Sequence, residues 1–187
     1  LIETSIFTTS TSGGDELNGL STLVTTGGTG TVGGIDAAVE TWWQNYSDTY
    51  TDASDIEATF TTAFNEAAMG SGSQRQPKLL ISGSAPHVMY ESGLQTLQRF
   101  SSSAEADGGF KVLLFKGARY VFSHKGGNRV YFLNPKNYKI VVSKQYFRDK
   151  GATYDVPGQN AFYFLIYSAL QFITNNKSRL GVLSLSS

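Results

Sequence analysis

The sequence predicts an α+β fold. Two segments with apolar residues at helical spacing flank a short apolar strand, the period switches to two from Phe110 onward, and a long aromatic run closes the chain. The 187 residues (20.3 kDa) are enough for one domain, or one with a small appendage, around a real core. A 40% apolar and 13% aromatic content excludes an intrinsically disordered chain.

Residues 1–34 hold 21 Ser, Thr or Gly residues and offer little apolar surface against their ordering entropy, so extended chain or mobile loop is expected, with Leu17-Asn18-Gly19-Leu20 as an anchor. Ile35 to Tyr50 carries Trp42 and Trp43, two large groups that need a pocket. Ser54–Met69 reads as a helix: Ser54-Asp55-Ile56-Glu57 fits a capping box, and Ile56, Phe60, Ala63, Phe64 and Ala67 form one stripe. Lys78–Ser82 reads as a buried strand, and Ser84–Phe100 as a second helix with Pro86 tolerated in its first turn. Strands are expected at 110–115, 118–123, 130–133 and 138–143, with Lys125-Gly126-Gly127-Asn128 as a hairpin turn and Asn134-Pro135 as another. Arg148–Gln159 reads as a polar loop. Ala161–Ile173 reads as a long strand covered on both faces, followed by a turn at Asn175-Asn176 and a last strand, Arg179–Leu185.

Composition excludes several kinds of chemistry. No cysteine is present, so disulfides, thiol catalysis and thiolate metal sites are absent. The two histidines, His87 and His124, lack partners at ligand spacing, so no metal residues and no cofactor are assigned. Ser84 follows a strand and precedes a helix, but Ser82-Gly83-Ser84-Ala85 lacks the second glycine of a nucleophile elbow, and no catalytic residues are assigned. Gly28-Thr29-Gly30-Thr31-Val32-Gly33 matches a dinucleotide fingerprint, yet neither a strand before it nor an acidic strand end after it is evident. The thirteen-residue apolar run is too short for a membrane helix, and the start, without methionine, has no basic leader region.

Net charge is zero but unevenly spread. Residues 1–110 hold thirteen carboxylates against three basic groups, a net −10, and residues 111–187 hold twelve basic groups against two carboxylates, a net +10. Three readings fit: the halves pair within one fold or face water, the acidic part of one copy docks on the basic part of the next, or the basic half contacts nucleic acid.

The order of segments resembles the C-terminal part of a tailed-bacteriophage major capsid protein, the Hong Kong phage capsid fold shared with encapsulin shells. The resemblance rests on Gly13-Gly14-Asp15-Glu16-Leu17-Asn18-Gly19-Leu20, on Gly33-Gly34-Ile35-Asp36 with Trp42-Trp43, on the helix–strand–helix order, on Gly109-Phe110 through Gly117-Ala118, and on the segment ending Tyr131-Phe132-Leu133-Asn134. It implies a non-enzymatic virion subunit that forms pentamers and hexamers around packaged DNA. Partners would be copies of itself, scaffolding, portal or decoration proteins, and DNA without sequence specificity; assembly would take place in the bacterial cytoplasm, away from membranes. It further implies a Gly/Ser/Thr-rich lead-in at 1–34, an axial-type α+β domain with a mixed sheet flanked by helices at 35–147, and return strands of the peripheral domain at 148–187. The family's N-terminal arm, extended loop and spine helix have no counterpart here, so a trimmed or cleaved product is expected. Arg148, Lys150 and Asp155 are the expected subunit contacts. The alternatives are an encapsulin-like compartment shell, a nucleotide-binding enzyme using Gly28–Gly33, and a DNA-binding module using the basic half.

Overall fold

A six-stranded mixed sheet organises the protein, seen in a computed structural model that describes residues 6–7, 17–52, 54–68, 76–97 and 113–186. In chain order the elements are a helical turn α1 (Leu20–Leu23), β1 (Thr31–Val32), β2 (Ile35–Asp36), a 3-10 turn (Thr41–Trp43), β3 (Tyr46–Tyr50), α2 (Ile56–Ala68), β4 (Leu79–Ser82) and α3 (Ser84–Leu97). Then follow β5 (Leu113–Phe115), β6 (Ala118–Phe122), β7 (Arg129–Leu133), β8 (Tyr138–Asp155), β9 (Phe162–Thr174), a second 3-10 turn (Lys177–Arg179) and β10 (Gly181–Leu185). The sheet order is β3-β10-β7-β4-β6-β5; β1 pairs with β2, and β8 with β9, as separate two-stranded units. The α+β class and the mixed sheet agree with the sequence reading.

Each face of the sheet has its own core. On the helix face, Ile56, Phe60, Ala63, Phe64 and Ala67 of α2 form the buried stripe that their spacing predicts, against Leu80, Tyr120, Val130, Phe132 and Leu183. Phe60 is the hub: its ring stacks on Tyr90 at 5.3 Å and meets Phe115, Tyr120 and Phe132 edge-on at 5.6–5.8 Å. The opposite face collects Leu20, Leu23, Val24, Tyr131, Leu133, Phe172, Leu180 and Val182. Strand β7 explains the division: Val130 and Phe132 point to one core and Tyr131 and Leu133 to the other, all buried.

Four sequence expectations are corrected. The lead-in is not uniformly extended or loose: around the expected anchor, Leu20, Leu23 and Val24 are buried in the core, while most of residues 26–34 is exposed loop. Asp52, not Ser54, caps α2: its Oδ1 accepts the backbone N–H of Ser54 at 2.8 Å and of Asp55 at 3.2 Å, and the Ser54 hydroxyl at 2.6 Å. These bonds, led by the Ser54 hydroxyl, hold the Asp52 carboxyl below its ordinary value. Lys125-Gly126-Gly127-Asn128 turns the chain, but β6 and β7 are not paired; β4 lies between them, parallel to β6 and antiparallel to β7. Gly83 and Gly126 allow that insertion, since a Cβ on Gly83 would lie 1.5 Å from the carbonyl oxygen of Gly127 and one on Gly126 would lie 2.6 Å from the Gly83 nitrogen. Lastly, the expected polar loop at 148–159 is mostly strand. β8 runs unbroken to Asp155, and only the turn closed by the Val156 N–H to Ala161 carbonyl bond (2.9 Å) is loop. The expected domain boundary at residue 148 therefore falls inside a strand, and β10 lies within the six-stranded sheet. The sequence-predicted ends at 69, 98–100 and 110–112 lie outside the described residues.

Candidate interaction surface

Among the described residues, strands β8 and β9 form an antiparallel arm rooted at one end only. Tyr138 and Phe172 stack at 5.5 Å with an interplanar angle of 6°, and Phe172 is buried in the second core. Gln171 Oε1 accepts the backbone N–H of Asn18 at 2.6 Å, and the Asn137 and Asn175 side chains bond at 2.9 Å. Beyond that root the arm leaves the core. Thirteen of the nineteen large apolar residues that are exposed among the described residues lie on it, including Ile140, Phe147, Tyr154, Phe162, Leu165 and Ile166. The burial expected on both faces of the 161–173 strand is thus not supplied by the described part of this chain.

Eighteen residues of β8 oppose thirteen of β9, and the surplus is absorbed in register shifts after Val142, Phe147 and Lys150. Arg148 sits at one of them with φ 55°, in the left-handed region. Its guanidinium lies 5.7 Å from the Phe147 ring, Lys150 Nζ lies 4.6 Å over Phe164, and Tyr154 stacks on Tyr163 at 5.3 Å. Asp155 pairs with Phe162 at the tip. The three sequence-predicted contact residues are therefore brought together on the outer half of one exposed arm. Strand β9 carries no charged residue from Phe162 to Thr174, while β8 carries Lys139, Lys144, Arg148, Asp149, Lys150 and Asp155.

The arm's chemistry is that of a contact surface. Thirteen large side chains roughly half in water present on the order of 1,000 Å² of apolar surface, using about 150–250 Å² for a whole aromatic ring. That exceeds the few hundred Å² typical of the largest patch on a monomer and matches the roughly 800 Å² each partner contributes to a stable interface. A two-stranded ribbon alone is at best marginally stable in water.

The glycine-rich loop behaves differently from a phosphate cradle. Gly28, Gly30 and Gly33 all have positive φ, but the chain passes from them into the β1–β2 hairpin and no helix opens on the loop. The space is taken by Lys177, which sequence reading missed: its side chain is fully buried, and Nζ donates to Thr29 O at 2.7 Å and Thr25 Oγ1 at 3.1 Å, with Gly30 O at 3.5 Å. Burial lowers the Lys177 ammonium from its ordinary value, and the Asp36 carboxylate works against that shift. Ser84 begins α3 and is exposed. His87 packs its ring 4.9 Å from Tyr120 and 5.2 Å from Phe122; burial lowers it, with Glu91 opposing. Among the described residues no group of three His, Cys, Asp or Glu side chains could hold a metal, and no helix is long and apolar enough to cross a membrane.

No protein-family model and no curated protein matches the sequence. Among solved structures, the chain is similar to a chain of the cyanophage A-1(L) capsid asymmetric unit, with a TM-score of 0.65 and 15% identity, over 100% of this chain and 66% of that one. The chain thus spans about two thirds of its neighbour's length, and at this identity the likeness is one of fold: the mixed α+β architecture resembles that of the phage capsid neighbour.

Proposed function

We propose that the protein is a non-enzymatic structural subunit of a bacteriophage icosahedral shell, assembling with copies of itself around packaged DNA. The observation that carries this reading is the arm: an apolar ribbon exposed on both faces, attached to a well-packed domain with a capsid-like fold. Work in such a protein is done by many repeated weak contacts, and heterologous contacts between identical subunits close into rings. The compact sheet and helices form the axial part, the arm reaches toward the shell's periphery, and Arg148, Lys150 and Asp155 contact a neighbouring subunit. A longer gene product supplies the remaining third of a subunit of the neighbour's length. Scaffolding, portal or decoration proteins engage the assembled shell, and its place is the virion after assembly in the host cytoplasm.

Electron microscopy of the purified full-length gene product tests this. Closed shells, or rings of five or six, are expected. Arg148→Glu with Lys150→Glu is expected to block assembly while circular dichroism shows a folded subunit; normal shells from that variant would remove the arm from the contact. A full-length product that stays monomeric at high concentration overturns the reading.

A further inference from the structure

The arm requires a receiving surface, and one feature of the compact domain has the matching chemistry. The loop from Gly34 to Gln44 holds two adjacent tryptophans in opposite situations: Trp43 is buried, whereas Trp42 is 61% exposed beside Val39 at 74%. The exposure is built, not loose. Asp36 Oδ1 accepts the Ala38 N–H at 2.9 Å, the Glu40 N–H donates to Asp36 O at 2.8 Å, and Gln44 Nε2 donates to the carbonyl of fully buried Ala37 at 2.8 Å. Glu40 Oε2 accepts the indole N–H of Trp42 at 2.5 Å and fixes the ring's direction. Trp42 forms a wall shared by two open depressions, of about 490 Å³ beside Asp36, Val39 and Glu40 and about 270 Å³ beside Gln44 and Glu66. Among the described residues, no basic residue lines either one.

A rigid, exposed tryptophan between carboxylates selects a partner that is apolar and cationic at once. It offers the best ring for a cation–π contact, and its ordering cost is already met by the loop. Strand β8 presents that combination, with Lys139, Lys144, Arg148 and Lys150 interleaved among Ile140, Val141, Val142 and Phe147. We propose that the Trp42 ledge of one copy receives the β8 side of the arm of a second copy. Trp42 and Val39 cover the arm's apolar side chains, and Glu40 and Asp36 face its Arg148–Lys150 segment. The inference rests on the shell-subunit reading and names the surface the arm engages. Ledge and arm are different patches, so the contact is head-to-tail and propagates from copy to copy.

Sedimentation velocity of the 187-residue chain over a wide concentration range, with thermal unfolding as a control for folding, tests the pairing. Trp42→Ala removes a ring that is mostly exposed, losing only its edge contact with Trp43 at 5.5 Å, so the unfolding midpoint is expected to fall little while self-association weakens roughly 30-fold, as for a central interface tryptophan. Glu40→Lys is expected to weaken association, and Lys150→Glu in the same chain is expected to restore it. Association indifferent to Trp42→Ala, or a Glu40→Lys defect that Lys150→Glu fails to relieve, overturns the pairing. If association also survives there but is lost in the Arg148→Glu, Lys150→Glu variant, the shell reading stands and only the ledge is wrong. A wild-type chain that is monomeric throughout overturns the pairing as well.

Discussion

Replacing Lys177 by methionine separates what the buried ammonium contributes from what its stem contributes. Methionine keeps most of the apolar length but donates nothing, so the Thr29 carbonyl loses a 2.7 Å charged donor and the Thr25 hydroxyl a 3.1 Å one. A charge-assisted bond is worth about 1.5–3 kcal/mol, while the ammonium's own desolvation is relieved and the exposed Thr29 carbonyl keeps the Thr25 hydroxyl as a donor. The balance is a loss of about 1–2 kcal/mol, measurable as a shift of the urea midpoint at unchanged slope. The defect should also be local, with faster exchange of the Gly28 and Ala37 amides, whose acceptors Thr25 O and Gly30 O lie in the loop that Lys177 ties down. The pH dependence has a determined sign. A lysine lowered in the folded state is more often protonated in the unfolded chain, so the Lys177 contribution to wild-type stability rises with pH between the lowered value and the ordinary 10.5. The tyrosines titrate in both proteins and cancel in the difference, so the gap between wild type and Lys177→Met should widen as pH approaches 10.5. Equal stability within about 0.5 kcal/mol, or a gap that narrows with pH, would refute the assignment of Lys177 as the loop's internal tie.

Three other outcomes follow from the packing. Phe60→Ala, which empties the hub of the aromatic core, should cost about 3–5 kcal/mol in chemical denaturation, and less than about 2 would mean the cluster is not packed as described. Gly83→Ala should cost at least about 3 kcal/mol or abolish soluble expression, since its Cβ would meet backbone that cannot retreat without separating β4 from its neighbours; a wild-type melting curve would contradict the close approach. Burial pushes Tyr50 up to about 12, and burial reinforced by Asp48 pushes Tyr46 up to about 12, so stability held below pH 10 should be lost as pH climbs from 10 to 12; a flat profile across that window, followed by tyrosinate absorbance at 295 nm, would contradict those environments.

How much was legible from the residues follows from which constraints are local. The α2 stripe, the Leu79–Ser82 strand and the period-two segments read correctly because each is determined by residues a few positions apart. Strand order did not, because the insertion of β4 between β6 and β7 depends on Gly83 meeting Gly126 across forty-three positions, and each glycine alone looks like an ordinary turn residue. Lys177 was hidden for another reason. Lysine is almost never fully buried, and the carbonyls that make its burial tolerable come from a loop almost 150 positions away. The 148–155 strand lacked a pattern to read, since a ribbon exposed on both faces need not alternate apolar and polar residues and Gly151 resembles a break. Arg148, Lys150 and Asp155 were singled out from charge and turn composition in a segment read as loop, and the structure places them on the strand β8.

The charge split along the chain acquires a structural meaning once the arm is placed. If the basic half served only to neutralise the acidic half within one subunit, its cations would lie near the carboxylates of the sheet's other elements. Lys177 does lie within reach of Asp36, but four others, Lys139, Lys144, Arg148 and Lys150, stand on the exposed arm, while Asp36, Glu40 and Asp48 lie on or beside the Trp42 loop at the sheet's β3 edge. The same segregation bears on solubility before assembly. Strand β9, thirteen residues without a charge or a proline, is the kind of segment that pairs indiscriminately, and the nearest like charges that discourage wrong pairing are the lysines and arginine of β8 beside it. Reversing Arg148 and Lys150 to glutamate leaves the arm charged and so preserves that protection, whereas replacing both with leucine removes it. The leucine pair should therefore aggregate amorphously and the glutamate pair should remain dispersed; equal turbidity of the two at matched concentration would show that these charges serve neither specificity nor solubility.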